Sequence, residues 1–181
     1  MVYILLGDGF EEVEAVAPYD ILHRGGVQVG FAGVSGRQVT GAHGIEITAG
    51  CLVRDISLEQ TEMLVLPGGM GGVRSMCASE AAMQLVRSAY DRGILVAAIC
   101  AAPTLLAKLG ILKGKKAVCY PGLEQECTGA LMTQEYAALR DGNVITGRGP
   151  AAALEFGYRL LAELRGDDAA GRVRSQMCGG I

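Results

Sequence analysis

A cysteine stands at position 100, where the apolar run ILVAAI (94–99) gives way to the helix-like AAPTLLAKLG (101–110). A thiol at such a junction has two readings. It is a small buried apolar residue, as free cysteine often is, or a nucleophile held at a sheet edge. In the second reading the N–H groups and dipole of the new helix favour an anion. Such a setting lowers a thiol pKa from about 8.5 into the range of roughly 3.5–7.5. Two other stretches offer companion chemistry. PGGMGG (67–72) is a plain glycine turn, or a backbone nest whose N–H groups hold an anion or oxyanion. No GK[ST] follows it and GxGxxG spacing is missing, so it is neither a phosphate loop nor a dinucleotide fingerprint. FEEVE (10–14) brings three carboxylates. Glu11 and Glu12 suit the N-terminus of a helix, where acids complement the dipole. Glu14 falls one turn in, either as an exposed helix acid or facing back over the sheet edge. A carboxyl held beside a thiolate has its pKa raised by burial and like charge. Protonated, it donates a hydrogen bond or shuttles a proton.

The elements that would position these residues alternate along the chain. VYILL (2–6) is a short apolar run of the buried parallel-strand kind. It leads into a helix before Gly25 and Gly26, with Val13, Val16, Ala17, Ile21 and Leu22 at helical spacing. VQVGFAGV (27–34) reads as a strand, and residues 36–54 as a small antiparallel excursion. EMLVLPGG (62–69) is a strand closing in a glycine turn. SEAAMQLVRSAYDRG (79–93) is an amphipathic helix with Ser79 as N-cap and Gly93 as stop. ILVAAI, KAVCY (116–120) and NVITG (143–147) are further strands. PAAALEFGYRLLAELRG (150–166) is a helix opened by proline and closed by glycine, and DDAAGRVRSQM (167–177) is a last one. Repeated strand–helix units predict a mostly parallel sheet with helices on both faces. Ligands in such sheets bind outside the carboxyl ends of the strands. The three chemical stretches all end strands, so they converge on one edge.

Composition narrows the function classes. A chain of 181 residues, half of them apolar, suits a single domain over 1–181 with one continuous core. A net charge of −3 without a long charge run disfavours a nucleic-acid footprint. Charged residues form only 19% of the chain, a low share that a buried subunit interface would explain. The opening apolar run is too short for a secretory h-region or a membrane span, and we expect a cytoplasmic protein with no membrane partner. Cysteines at 51, 77, 100, 119, 127 and 178 form no CxxC pair, and with only His23 and His43 metal-ligand spacing is missing. Reduced thiols are the expectation.

Taken together, GFEEVEAVAPYDILHRGG, LVLPGGMGG, AAICAAPTLLA and ITGRGPAAALEFGYRLLAEL resemble the ThiJ/PfpI superfamily, in the branch containing the parkinsonism-associated deglycase. The resemblance runs nearly the whole length, with four motifs in the family's order. It implies a flavodoxin-like three-layer α/β sandwich, a homodimer and no cofactor or metal. It places Cys100 on a nucleophile elbow with Glu14 as its protonated partner, and the N–H groups of Gly69 and Ala101 as oxyanion donors. It sets Arg148 and Gly149 at the pocket rim, and Asp20 and Arg24 near the dimer contact. Where many members carry a His-Pro step near the thiol, this chain has Tyr120-Pro121, so Tyr120 is a pocket residue and a Cys–His dyad is doubtful. Ala101 stands where protease-like members place histidine, and the HxE of glutamine amidotransferases is missing, which disfavours both activities. The implied function is a cofactor-independent glyoxalase or deglycase acting on small reactive aldehydes. The alternative is a redox sensor or stress chaperone, its partner an oxidant or another protein, in which Cys100 becomes a stabilised sulfinate. Thiamine thiazole synthesis finds no phosphate loop.

Overall fold

The computed structural model describes residues 1–178; the last three residues of the single-domain reading and the Cys178 side chain lie outside them. In chain order the elements are β1 (Val2–Leu6), α1 (Glu12–Arg24), β2 (Val29–Gly33), β3 (Gln38–Thr40), β4 (Glu46–Thr48), β5 (Cys51–Leu52), β6 (Met63–Leu66), α2 (Met70–Ala78), α3 (Glu80–Asp91), β7 (Leu95–Ile99), α4 (Pro103–Lys108), β8 (Lys116–Ala117), β9 (Leu131–Met132), β10 (Ala138–Asp141), β11 (Val144–Gly147), α5 (Ala153–Arg165) and α6 (Asp167–Cys178).

Seven strands form the main sheet in the order β10-β11-β7-β6-β1-β2-β5. All neighbours run parallel except β10 and β11. Without its edge strands the order is that of a flavodoxin-like sheet, with the first strand central and the chain switching direction between β1 and β6. Right-handed crossovers then place α1 and α5 on one face and α3 and α4 on the other. Side-chain contacts agree: Arg87 of α3 donates to the Leu109 carbonyl at the end of α4 (2.9 Å), and Lys108 of α4 reaches Cys77 of α2. The central strands are apolar on both sides because both faces are covered: β6 is buried throughout, as is β1 but for Tyr3. Each fully buried side chain such as Ile4, Leu64 or Phe156 contributes ~1.5–3 kcal/mol of hydrophobic stabilisation. Ser79 caps α3 by accepting from the Ala82 N–H.

Three sequence expectations need correction, and one strand was not anticipated. The inward face of α1 is not the one marked by its valines: Val13 and Val16 are 42% and 47% exposed, while Glu12 and Glu14 are buried. PGGMGG is more than a turn, because α2 begins at Met70 within it. KAVCY contributes only Lys116–Ala117 as a strand, paired with β9 outside the main sheet. β10 forms a hairpin with β11 closed by the pair Asp141–Val144, and the loop Gly142-Asn143, with Gly142 at φ 63°, is the turn signal behind it. Residues 38–48 do form a separate antiparallel pair, β3–β4.

Candidate active site

The carboxyl ends of β1, β6 and β7 lie side by side, and the chain leaves each by a tight turn. After β7, Cys100 takes φ 65°, the only positive φ among the described non-glycine residues. Left-handed backbone at a residue with a Cβ costs about 1–2 kcal/mol. It is held by the hydrogen bond from Cys100 N–H to the Gly147 carbonyl (3.0 Å) and from Tyr120 N–H to the Cys100 carbonyl (2.8 Å). The result is a strand–turn–helix elbow with the thiol at its tip, 8% exposed. Its sulfur receives the N–H groups of Gly69 and Ala101.

Glu14 enters from α1 and is fully buried. Its Oε2 accepts the Gly68 N–H at 2.7 Å. The neighbouring Cys100 thiol acts on the Glu14 carboxyl to lower the acid's pKa, and Glu14 Oε1 is buried without a hydrogen-bond partner. A Cβ at Gly68 would stand 2.6 Å from Glu14 Oε2 and 3.0 Å from Cys100 Sγ, so only glycine leaves acid and thiol room to meet. Gly69 holds φ 80°, and a Cβ there would fall 2.4 Å from the Gly9 carbonyl oxygen. Gly68 is a site residue beyond those expected from sequence, and the paired glycines after an apolar strand are its signal.

The two groups titrate as a pair. Burial raises Glu14 to about 7, against the pull of the Gly68 and Cys100 hydrogen bonds. Burial, then the Glu14 charge and its hydrogen bond, push the Cys100 thiol up to about 12, although the Gly69 and Ala101 amides lower it. The expected depression of the thiol therefore does not arise from this geometry. The helix behind it has six residues, too short for a substantial macrodipole, and the neighbouring carboxylate opposes the amides. Across neutral to alkaline pH the pair holds one proton between sulfur and oxygen, with Glu14 the group that titrates near neutrality.

The thiol opens onto a cavity of about 320 Å³ lined by Glu11, Gly69, Met70, Ala101, Tyr120 and Pro150, among others. Tyr120 is 47% exposed and its ring forms part of this wall. Arg148 and Gly149 are not in it. They line an adjoining groove of about 410 Å³ that meets the first cavity at Tyr120 and Pro150, and Arg148 donates to the Gln134 carbonyl there. Asp20 and Arg24 are away from the pocket, paired on the outer face of α1 at 2.8 Å. Glu12 is not simply a helix-end acid: it accepts from the His43 N–H (2.7 Å) and ring Nδ1 (2.8 Å). Burial raises its pKa, but these hydrogen bonds outweigh it and hold the carboxyl below its usual value. His43 thus clamps the β3–β4 excursion onto α1. Glu11, Glu12 and His43 bring ligand atoms within 4.8 Å of one another, but both Glu12 oxygens already serve that clamp.

A buried acid, an elbow cysteine and two amides facing its sulfur, at the carboxyl edge of a flavodoxin-like sheet, define a cysteine-elbow α/β protein. The pattern of the DJ-1/PfpI family matches residues 1–163, and the chain belongs to that family. It is 35% identical over 172 residues to "Protein dj-1beta" of Drosophila melanogaster, covering 94% of this chain and 92% of the relative. The crystal structure of Drosophila melanogaster DJ-1beta superposes with a TM-score of 0.93 at 34% identity, covering 98% of this chain and 96% of that one. "Glutathione-independent glyoxalase DJR-1.2" of Caenorhabditis elegans is 28% identical over 168 residues, covering 93% of this chain and 90% of the relative. No helix among the described residues is long and apolar enough to cross a membrane.

Proposed function

We propose that the chain is a cofactor-independent glyoxalase acting on small 2-oxoaldehydes such as methylglyoxal. The observation that carries this reading is the buried Glu14 carboxyl, with one oxygen fixed by Gly68 and the other without a further partner, in contact with the Cys100 thiol. An acid with a pKa of about 7 is matched to accept and return protons at neutral pH. Glu14 takes the thiol proton as Cys100 sulfur adds to the aldehyde carbon, and returns it to the carbonyl oxygen to give a hemithioacetal. The Gly69 and Ala101 N–H groups hold the developing oxyanion. Glu14 then removes the proton from the former aldehyde carbon and protonates the neighbouring carbon as the enediol collapses to a 2-hydroxyacyl thioester. Water cleaves the thioester, releasing the 2-hydroxy acid and the thiol. The sum is aldehyde plus water to hydroxy acid, an internal redox exchange that balances without an external electron carrier. Deglycation fits the same chemistry, since removal of free aldehyde also draws its adducts backward. The cavity of about 320 Å³ suits a substrate of a few heavy atoms.

A redox-sensing reading is favoured by one feature, the two amides on the Cys100 sulfur, which would also hold a sulfinate. Incubation with methylglyoxal, following lactate, separates the two. Turnover by the wild type and none by Cys100→Ala supports the glyoxalase. No lactate from a protein whose Cys100 takes up oxygen from mild peroxide overturns it. We further propose a homodimer in the cytoplasm, its contact including the α1 face that carries Val13, Val16 and the Asp20–Arg24 pair.

A further inference from the structure

A second pair of nucleophiles lies outside the Cys100 site. Cys77 stands in the last turn of α2, and Lys108 ends α4. Lys108 Nζ donates to Cys77 Sγ at 3.9 Å. Lys108 is exposed and Cys77 half-buried, so solvent reaches the pair. Among the described residues no carboxylate pairs with Lys108, whereas Lys115 has Asp141 at 3.8 Å. The chain has only four lysines, at 108, 113, 115 and 116, and Lys108 is the one held against a thiol. Because α4 covers the sheet face opposite α1, the homodimer contact proposed above leaves the pair open. Thiols and amines behave differently toward a thioester. A thiol exchanges with it through its thiolate, whereas lysine-type amines are mostly protonated at neutral pH and attack slowly in a bimolecular step. An acyl group resting on a thiol beside an amine changes the second case, because the attack becomes intramolecular. The separation of 3.9 Å lets a carbonyl carbon on the sulfur approach the nitrogen to about 3–3.5 Å, the range of a near-attack conformer.

We propose that Cys77 and Lys108 form an acylation site, at which small acyl thioesters pass their acyl group to the Cys77 sulfur and then to the Lys108 nitrogen. The Cys77 sulfur, its proton lost to solvent, attacks the thioester carbonyl carbon. A new carbon–sulfur bond forms, the bond to the carrier sulfur breaks, and the carrier leaves as a thiol on taking a proton. The neutral amine of Lys108 then attacks the same carbon. The carbon–nitrogen bond forms, the bond to Cys77 breaks, and the surplus proton on nitrogen passes to the sulfur. The sum is thioester plus amine to amide plus thiol, with nothing oxidised or reduced and Cys77 restored. The product removes the positive charge at the end of α4. This proposal does not depend on the carbonyl reading of Cys100.

The test incubates the folded, reduced full chain with the acetyl thioester of N-acetylcysteamine at neutral pH. Samples are quenched in acid and treated with hydroxylamine, which strips thioesters and leaves amides. Cleavage after arginine gives peptide 93–140, which holds all four lysines, and fragmentation in the mass spectrometer assigns the acetyl group. Lys113 and Lys116, both exposed, serve as internal references. The expected result is acetylation of Lys108 at least tenfold faster than of either reference, falling to the reference rate in Cys77→Ser. Acetic anhydride, which needs no thiol, should label Lys108 equally in both proteins and so shows that the variant keeps its lysine accessible. Wild-type acetylation of Lys108 no faster than of Lys113 and Lys116 overturns the proposal, as does a rate that Cys77→Ser leaves unchanged. The comparison within the wild-type chain is decisive by itself, so a variant that folds poorly does not obscure the result.

Discussion

Replacing Glu14 by Gln keeps the shape of the side chain and removes its charge, and the consequence for stability can be worked from the site. The Glu14 carboxyl is raised from 4.5 to about 7 in the folded protein, chiefly by burial. The folded state therefore holds the proton more tightly than the unfolded chain does. Its favourable contribution is complete below about 4.5, declines as pH rises, and is lost once pH passes about 7. Above that point the fold carries a buried carboxylate at a cost of about 3 kcal/mol relative to the acid form. Glutamine never ionises, and its carbonyl still accepts from Gly68. The Glu14→Gln protein should therefore gain on the wild type between pH 5 and pH 8. For a domain of this length about 3 kcal/mol corresponds to a melting temperature ~6–12 °C higher. Thermal melts of both proteins at pH 5 and pH 8 measure it. The Cys100 thiol, raised to about 12 in the folded protein, stays protonated there over that range, and its partial ionisation in the unfolded chain at pH 8 is the same for both proteins, so it drops out of the comparison. A melting difference that is the same at both pH values, or a variant less stable than wild type at pH 8, would refute the claim that Glu14 is buried and titrates near neutrality.

Three further outcomes follow from the same geometry. In pH-dependent alkylation, Cys100 of the Glu14→Gln variant should react with a midpoint below the wild-type value of about 12, since a charge and a hydrogen bond that favour the thiol are gone; an unchanged midpoint removes Glu14 from the electrostatics of the thiol. Gly68→Ala sets a Cβ 2.6 Å from Glu14 Oε2 and from Cys100 Cβ, so it should lower stability by ~1–3 kcal/mol in urea titration and cut lactate formation at least tenfold. Val16→Glu, at a position 47% exposed in the single chain, should convert a dimer to a monomer in sedimentation velocity; a wild type that already sediments as a monomer rejects the homodimer.

The parallel sheet was legible because its strands are short apolar runs separated by capped helices; Ser79 and Gly166 mark ends that the structure keeps, while Pro150 opens only a short 3-10 turn before α5. Strands without an apolar run were not. β10 is ALRD, half-exposed at the sheet edge, and only its Gly142-Asn143 turn announces it. KAVCY reads as a strand, but past Ala117 its backbone and side chains serve the site: Val118 N–H bonds the Thr146 hydroxyl and Tyr120 N–H the Cys100 carbonyl. The position of Cys100 was readable from the strand–helix junction, but its electrostatics were not. They depend on the length of α4 and on a carboxylate from a helix far away in sequence, and neither is a property of AAICAAPT.

The phase of α1 shows how the site and the helix specify each other. Ala15, Pro18, Ile21 and Leu22 are buried, and extending that stripe one turn back at 3.6 residues per turn arrives at Glu14, not at Val13 or Val16. The valines instead share their face with Asp20 and Arg24. A rotation that buried Val13 and Val16 would gain ~1.5–3 kcal/mol for each. It would also expose Ile21 and Leu22, break the His43 clamp on Glu12, and withdraw Glu14 from Gly68 and Cys100. The C-terminal half of the helix thus fixes the register, and that register carries a carboxyl into the core. The cost is visible twice, in the raised pKa of Glu14 and in the left-handed backbone of Cys100. Local rules give way at two residues that meet each other, and a fold with no use for the pair would be more stable with a leucine at one and a glycine at the other.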